Sequence, residues 1–466
     1  MLKFGGTSVA GRPQWEVIAS LVKARQSEGF QVLLVCSAVA GVTNLLNKMA
    51  CKPESTDRLE ELLEIHRKLG HELGVDEQSW LPESRRQLEG CLQNLLHDPG
   101  PQFRAALLAM GEWMSTKIGC CFLSQHVDAA WVDVREALEV FSEKDLSPAC
   151  QWLSAACRAG EAPGLSGRWS ALSPVLITQG FVARTKEGDT ALLGRGGSDT
   201  SAAILAGRLS AERLEIWTDV PGLFSADPHL ISDARLLTEV DYAEALEMAA
   251  SGAKVVHARS IRAAAATATP VVIRDVNRRS VAGTRIGRRV SNETGIKAVT
   301  CQEQMAVILL QNLDARIQVG FLAEVFDIFR QRGISIDLVA TSETTTTVAI
   351  NCRTNHVDKD ELHDLVVDLG TRCKVKLFGD CVCVNLVGRG ARMALSRLQE
   401  VMRYFEDHPL LMVSQSANDL CLSLLVKTGE HESLLRGAHL ALIPASDIKP
   451  GSVFGPNWKQ IQTIAN

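Results

Sequence analysis

Gln31-Val-Leu-Leu-Val-Cys36 runs without a break into Ser37-Ala38-Val39-Ala40-Gly41-Val42-Thr43-Asn44. The first six residues are a short apolar run bounded by turn-forming residues, which reads as a buried strand. Small hydroxyl residues and a glycine follow at once, where an open α/β sheet places its ligands. The same reading extends outward. Val175-Leu-Ile-Thr178, Leu214-Glu-Ile-Trp217 and Pro270-Val-Val-Ile273 are further buried strands, and amphipathic helices alternate with them through most of the first 290 residues. Such alternation predicts an α/β layer fold.

Between the strand at 31–36 and residue 110 the pattern is helical. Leu59, Leu62, Leu63 and Leu69 share a face behind a start signal at Ser55-Thr56. Pro99-Gly100-Pro101 breaks that region, and a second helix is clearest over 110–125. Residues 277–292 are rich in Arg, Gly and Ser and read as a linker. Beyond it the pattern changes. A strand at 306–310, a helix over 321–332 and strands at 334–340 and 345–350 are followed by the same order at 382–387, 393–405, 410–414 and 420–426. Leu338 and Val413 hold equivalent places, so the offset is about 75 residues, within the range of a small-domain repeat. Two copies of a β-α-β-β unit make a tandem α+β module. The expected division is 1–288, 300–377 and 378–466, with the last strands able to cross over to the first small unit.

At 466 residues the chain is too long for one ordinary core. Hydrophobic content of 46% beside 22% charged residues is that of a soluble globular protein. A net charge of -5 gives no electrostatic reason to expect nucleic acid or an anionic membrane as partner. No apolar run approaches the roughly 20 residues that span a bilayer. No targeting segment precedes the motif that starts at Lys3, so a cytoplasmic protein is expected. The 13 cysteines include no C-x-x-C pair, and Cys36 in its apolar run typifies a buried, reduced thiol. No metal site is expected from them.

Four constellations at strand ends carry the chemistry. In Lys3-Phe4-Gly5-Gly6-Thr7-Ser8-Val9, two glycines let the backbone approach a phosphate, and Lys3 adds a charge beside them. A tight turn with a solvated lysine is the bland alternative, and the Walker A spacing is absent. Ser37 to Asn44 suits a ligand's polar group or an N-cap equally. In Gly194-Arg195-Gly196-Gly197-Ser198-Asp199-Thr200, three glycines free the backbone around one guanidinium, a bidentate carboxylate binder. Asp199 could instead cap the coming helix. Trp217-Thr218-Asp219-Val220-Pro221-Gly222, with Asp227-Pro228 and Ser251-Gly252-Ala253-Lys254 further on, suits a nucleoside pocket or a plain turn. Lys254 is a second candidate phosphate cation. His257 and His229 read as structural histidines.

Taken together, K-F-G-G-T-S-V, S-A-x-x-G-V-T-N, G-E-x-x-S-T at Gly111-Glu112, G-R-G-G-S-D and W-T-D-V-P-G, in this order, resemble the aspartate kinase branch of the amino-acid kinase family. The similarity covers essentially the whole chain, because residues beyond 300 resemble that family's paired ACT domains. The resemblance implies a three-layer amino-acid kinase sandwich with a tandem, ferredoxin-like ACT region. It implies transfer of the ATP γ-phosphoryl group to L-aspartate, the first step of lysine, threonine and methionine biosynthesis. Lys3, Gly5 and Gly6 would hold ATP phosphates. Ser37, Thr43, Glu112, Arg195 and Asp199 would surround aspartate. Thr218, Asp219, Phe224, His229, Lys254 and Val255 would line the nucleotide site. Phe224 stands where a tyrosine is common and His229 where an arginine often follows Asp-Pro, departures that bear on ATP affinity. The abrupt start at Lys3 is similar to that of bifunctional relatives fused to diaminopimelate decarboxylase.

The residue types suit such a reaction. A carboxylate nucleophile, with an intrinsic pKa near ~4, is already ionised at neutral pH and needs no general base. Catalysis then rests on alignment and charge neutralisation. Lys3, Lys254 and Arg195 are the cations, with Mg2+ held mainly by the nucleotide phosphates, while Glu112 and Asp199 suit the substrate ammonium. A kinase for another amino acid and a catalytically weak amino-acid sensor are the competing readings. Regulation by lysine is expected at the first ACT unit. Gly320, Phe321 and Leu322 open a helix there, and Ser335, Ile336, Asp337, Thr341, Ser342 and Glu343 lie on the facing strand and loop. Amides at a helix start suit a carboxylate, and Asp337 and Glu343 suit ammonium groups. ACT units pair across two-fold axes, so a homodimer through them is expected.

Overall fold

Short apolar runs from widely separated parts of the chain meet in one eight-stranded sheet. The computed structural model describes residues 1–54, 56–141, 147–160, 162–253, 255–288, 294–311, 319–393, 398–406, 408–427, 431–443 and 452–464. The strand order is Glu239–Asp241, Thr284–Gly287, Val271–Asp275, Leu214–Thr218, Leu2–Phe4, Val32–Cys36, Val175–Gln179, Ala129–Trp131. Neighbours are parallel except Thr284–Gly287, which runs antiparallel to Val271–Asp275. Every residue of Leu2–Phe4, Val32–Cys36 and Val175–Gln179 is buried, so both faces of the sheet's centre are covered.

Leu2–Phe4 lies between Val32–Cys36 and Leu214–Thr218, so the chain leaves it on one side and returns on the other. Ligand sites form outside the carboxyl ends of strands at such a switch. Register makes this concrete. Phe4 is level with Cys36 on one side and Trp217 on the other, so Gly5, Ser37 and Thr218 emerge side by side.

The helical region resolves into Val42–Cys51, Thr56–Leu73, Leu81–His97 and Pro101–Ser124. Pro101 sits in the first turn of the last of these, where a missing N–H costs nothing. That helix is largely buried, with Glu112 among its shielded residues.

The regulatory region forms one antiparallel sheet in the order Leu338–Thr341, Thr345–Asn351, Ala298–Gln311, Lys374–Val387, Cys421–Lys427, Leu410–Gln415. Its two central strands are 14 residues long and serve both ACT units. The sequence pattern placed strands only at 306–310 and 382–387. The extension is hidden because the ladder is irregular between Gln302 and Val307, and because Gln304 and Asp380 take left-handed φ values of 57° and 53°. Helices Lys359–Gly370 and His431–Leu442 were also unpredicted.

Residues of the first unit, among them Ile308, Phe329, Ile350 and Leu365, form their own core, whereas Val384, Leu386, Phe405 and Leu424 of the second join the kinase core. Among the described residues, the expected crossover of the last strands to the first ACT unit is not seen. Phe454–Asn457 instead pairs antiparallel with Arg235–Leu237 of the kinase region. The physical reason is apolar: Val453, Phe454, Trp458 and Ile461 bury themselves in the kinase-side core. Among the described residues, no helix is long and apolar enough to cross a membrane.

Candidate active site

Two loops meet backbone to backbone at the carboxyl end of the first strand. The Ala40 amide donates to Gly6 O at 3.2 Å, and a Cβ on Gly6 would lie 2.7 Å from Ala38 O. Only glycine fits there, which leaves a cradle of backbone at the strand end. The second loop is pinned to helix Pro101–Ser124 by the Ser115 hydroxyl, which donates to Ser37 O at 2.9 Å. The third loop also depends on glycine. Gly196 has φ 67°, and a Cβ on it would come within 2.5 Å of the His257 ring. Thus Arg195 is held on a loop pressed against its neighbours, at the entrance to helix Gly197–Arg208.

A cavity of about 670 Å³ is walled by these three loops and helix Pro101–Ser124. Lys3, Gly5, Gly6, Ser37, Thr43, Glu112, Arg195 and Asp199, all expected at phosphates or substrate, line it together. Lys3 Nζ lies 2.5 Å from Asp199 Oδ1, with both side chains largely shielded from water. Glu112 is buried, and the Ala38 amide hydrogen-bonds its carboxylate. Burial pushes its pKa up to about 8, while its Oε2 has no hydrogen-bond partner. A buried, unsatisfied carboxylate oxygen beside a cavity fits an incoming ammonium group.

The cavity also holds residues that sequence reasoning missed. Arg104 and Leu108 stand one and two turns behind Glu112 in reverse order along the same helix face, and both line the cavity. The Arg104 Nη2 donates to Asn47 Oδ1 at 2.8 Å, and Asn47 Nδ2 donates to Thr43 O at 3.0 Å. Among the described residues, neither Arg104 nor Arg195 is paired with a carboxylate. The available signal was the i, i+4, i+8 spacing of Arg104, Leu108 and Glu112.

Beyond Lys3, Gly5 and Gly6, the residues expected at the nucleotide are not among those that line this cavity. Thr218 and Asp219 lie beside it at the next strand end, joined by a 3.1 Å hydrogen bond from the Thr218 hydroxyl. Phe224 is buried and packs edge-on to Trp458, with ring centroids 5.6 Å apart, so its ring points into protein. His229 is exposed and also meets Trp458, at 6.0 Å. Val255 is partly buried, and Lys254 falls outside the described residues. His257 caps helix Ala258–Ala266, its Nδ1 accepting the Arg259 amide at 3.2 Å, a structural role.

Of the effector residues, Gly320 takes φ 92° before helix Phe321–Gln331. Phe321 and Ile336 pack on the first unit's core, and Leu322 is exposed. Asp337 Oδ2 accepts the Asn351 amide at 2.7 Å, and the Ser335 amide donates to Asn355 Oδ1 at the same distance. Ser342 bonds Thr345 across a turn, while Thr341 and Glu343 are exposed. Among the described residues, no three His, Cys, Asp or Glu side chains converge as metal ligands.

The sequence profile described as the amino acid kinase family matches residues 1–275. The lysine-sensitive aspartokinase 3 of Escherichia coli is 31% identical over 453 residues, spanning 94% of this chain and 97% of that protein. A chloroplastic aspartokinase 3 of Arabidopsis thaliana is 28% identical, over 95% of this chain and 81% of its own length. Crystal structures of E. coli aspartokinase III superpose with TM-scores of 0.78 for the complex with aspartate and ADP and 0.77 for that with lysine and aspartate. In both cases 95% of this chain is covered at 28% identity.

Proposed function

Because this chain belongs to the amino acid kinase family, we propose from that premise that it is an aspartate kinase, converting L-aspartate and ATP to 4-phospho-L-aspartate and ADP. The observation that carries the reading is the single cavity shared by Lys3, Glu112, Arg195 and Asp199. A β-carboxylate oxygen attacks the γ-phosphorus, and the bond to the bridging oxygen of ADP breaks. No proton needs to be removed from the nucleophile.

Each residue then has one task. Glu112, ionised by its partner, receives the substrate ammonium at Oε2. Arg195 grips a carboxylate with a two-point fork. Ser37 and Thr43 complete the polar wall around the substrate. Lys3 offsets charge building on the γ-phosphoryl oxygens, and Asp199 fixes its ammonium. The uncovered backbone at Gly5 and Gly6 admits phosphate. Thr218, Asp219, Phe224, His229, Lys254 and Val255 would form the nucleotide side, and magnesium would be held there mainly by the phosphates themselves.

On this reading, 1–288 is the kinase unit, and 300–377 and 378–466 are regulatory. Lysine is the inhibitor, a reading supported by the likeness to the lysine-sensitive E. coli relative, with Gly320, Phe321, Leu322, Ser335, Ile336, Asp337, Thr341, Ser342 and Glu343 around it. A homodimer through the ACT units suits the exposed edge strand Leu338–Thr341 with its uncovered Val339. The enzyme would work in the cytoplasm. Coupled ADP release with L-aspartate, L-glutamate, N-acetylglutamate and a nucleoside monophosphate as acceptors tests the assignment. Turnover with aspartate is expected, and turnover with only another acceptor, or with none, would overturn it.

A further inference from the structure

The loop that carries Phe224 and His229 is gripped by a segment that follows the regulatory sheet. Phe454–Asn457 pairs with Arg235–Leu237, and the Trp458 amide extends the contact by donating to Ala234 O at 2.9 Å. Trp458 is buried, at 8% exposure. Phe224 meets it edge-on at 5.6 Å, His229 at 6.0 Å, and the Arg278 guanidinium lies 5.3 Å from its centroid. Phe224 also makes an isolated β-bridge to Leu236, so it is fixed from two directions. Helix His431–Leu442 adds two more clamps: His439 Nε2 lies 2.8 Å from the Ser225 hydroxyl, and Arg436 donates to Leu230 O at 3.2 Å.

We infer that Trp458 is a positioning residue of the nucleotide site, setting the placement of Phe224 and His229 without itself joining the chemistry. The inference rests on the reading of those two residues as nucleotide contacts. The buried Phe224 ring cannot swing out to a ligand, so it serves as an anchor. What the loop offers a nucleotide is its backbone and the exposed His229 imidazole, and both are aimed by the indole beneath them. Edge-to-face aromatic contact is directional, so Trp458 fixes an orientation where an aliphatic side chain would only fill space.

Steady-state kinetics of the full chain with Trp458→Ala, Trp458→Phe and Trp458→Leu test this. Trp458→Ala is expected to raise the KM for ATP roughly five- to tenfold, the scale of one lost aromatic contact and its burial, with the aspartate KM held within about twofold. Trp458→Phe should restore most of the loss, because an edge-on ring is kept, and Trp458→Leu should not. An unchanged ATP KM in a variant with wild-type circular dichroism overturns the inference, as does a parallel rise in both KM values. If Trp458→Ala does not fold, the contrast between Phe and Leu decides the matter in the same terms. A wild-type chain that binds no ADP by calorimetry removes the nucleotide-site reading itself. Normal ADP binding with indifferent Trp458 variants removes only the role of Trp458.

Discussion

Lys3 and Asp199 form a 2.5 Å ion pair across the mouth of the sheet, one from the first strand and the other from the first turn of helix Gly197–Arg208. A shielded pair of this kind keeps a lysine in one place, but it leaves an uncompensated charge when either partner is lost. Lys3→Ala is therefore expected to lower kcat by about two or more orders of magnitude, the scale for removing a transition-state charge partner. Asp199→Ala should cost a similar factor. The double variant should be little worse than either single one, since the residues act as a unit. Losses that multiply would show that the two work independently.

Glu112 makes aspartate binding pH-dependent. Its folded-state pKa of about 8 lies above the ordinary carboxylate value of 4.5, because burial penalises the charged form. The free enzyme thus holds a proton on Glu112 that aspartate's ammonium must displace. The kcat/KM for aspartate should rise from pH 6 towards pH 8 and level off above. For the unliganded protein the sign runs the other way. The fold binds more protons than the unfolded chain between pH 4.5 and 8, so this group's contribution to stability falls as pH rises through that window. Glu112→Gln should flatten both profiles, and a pH dependence unchanged by it would assign the titration to another group.

Arg195 has no carboxylate partner among the described residues, so its fork is available to substrate. Arg195→Lys should cost on the order of 2–4 kcal/mol in kcat/KM for aspartate by losing two-point recognition, with the ATP KM little moved. Near-normal aspartate kinetics would remove Arg195 from the substrate's surroundings.

Inhibition by lysine is tested by titrating lysine, threonine and methionine against activity, with Asp337→Ala alongside. Lysine inhibition that weakens in Asp337→Ala is expected, since one oxygen of that carboxylate already holds the Asn351 amide and the other is left for an ammonium. Insensitivity to millimolar lysine would sink the assignment, and inhibition that survives the substitution would move the site elsewhere.

Lys297 and Glu244 are a buried pair at 2.8 Å, with side chains 4% and 0% exposed, between the residue just before strand Ala298–Gln311 and the kinase helix Tyr242–Ala250. Glu244 also accepts the Arg389 amide at 2.8 Å, so it ties the regulatory sheet to that helix. Lys297→Met should destabilise the fold by about 3–5 kcal/mol, because the carboxylate would stay buried without its counter-charge. Denaturant unfolding of the variant beside wild type measures it, and a change below about 1 kcal/mol would mean that water reaches Glu244.

Much of the site could be read from the chain because its chemistry sits on contiguous loops. The glycines around Arg195 and beside Lys3 announce backbone exposure locally, and strand ends are where such exposure is useful. The Lys3–Asp199 contact could not be read, since only the sheet brings those residues together. Arg104 was missed because one charged residue in a largely apolar helix looks like a solvated position until the helix is seen packed on all sides. The long regulatory strands escaped for a local reason: left-handed residues at Gln304 and Asp380 interrupt the alternation on which strand reading depends. Trp458 escaped for a tertiary one, its ring partners being three side chains from the kinase region, Phe224, His229 and Arg278.

The shared strands Ala298–Gln311 and Lys374–Val387 bear on how such a protein can be re-engineered. A chimera jointed at 377/378, between the two repeats, would sever Lys374–Val387 inside its hydrogen-bonded ladder rather than at a hinge. The effector-sensing unit is therefore not a cassette that can be exchanged alone. A donor sequence would have to bring both long strands, and with them the surface that Asn385 and Thr300 present to Ser251 of the kinase. Transplanted sensitivity would have to travel as a block of at least residues 298–427, grafted at the kinase surface and not between the repeats.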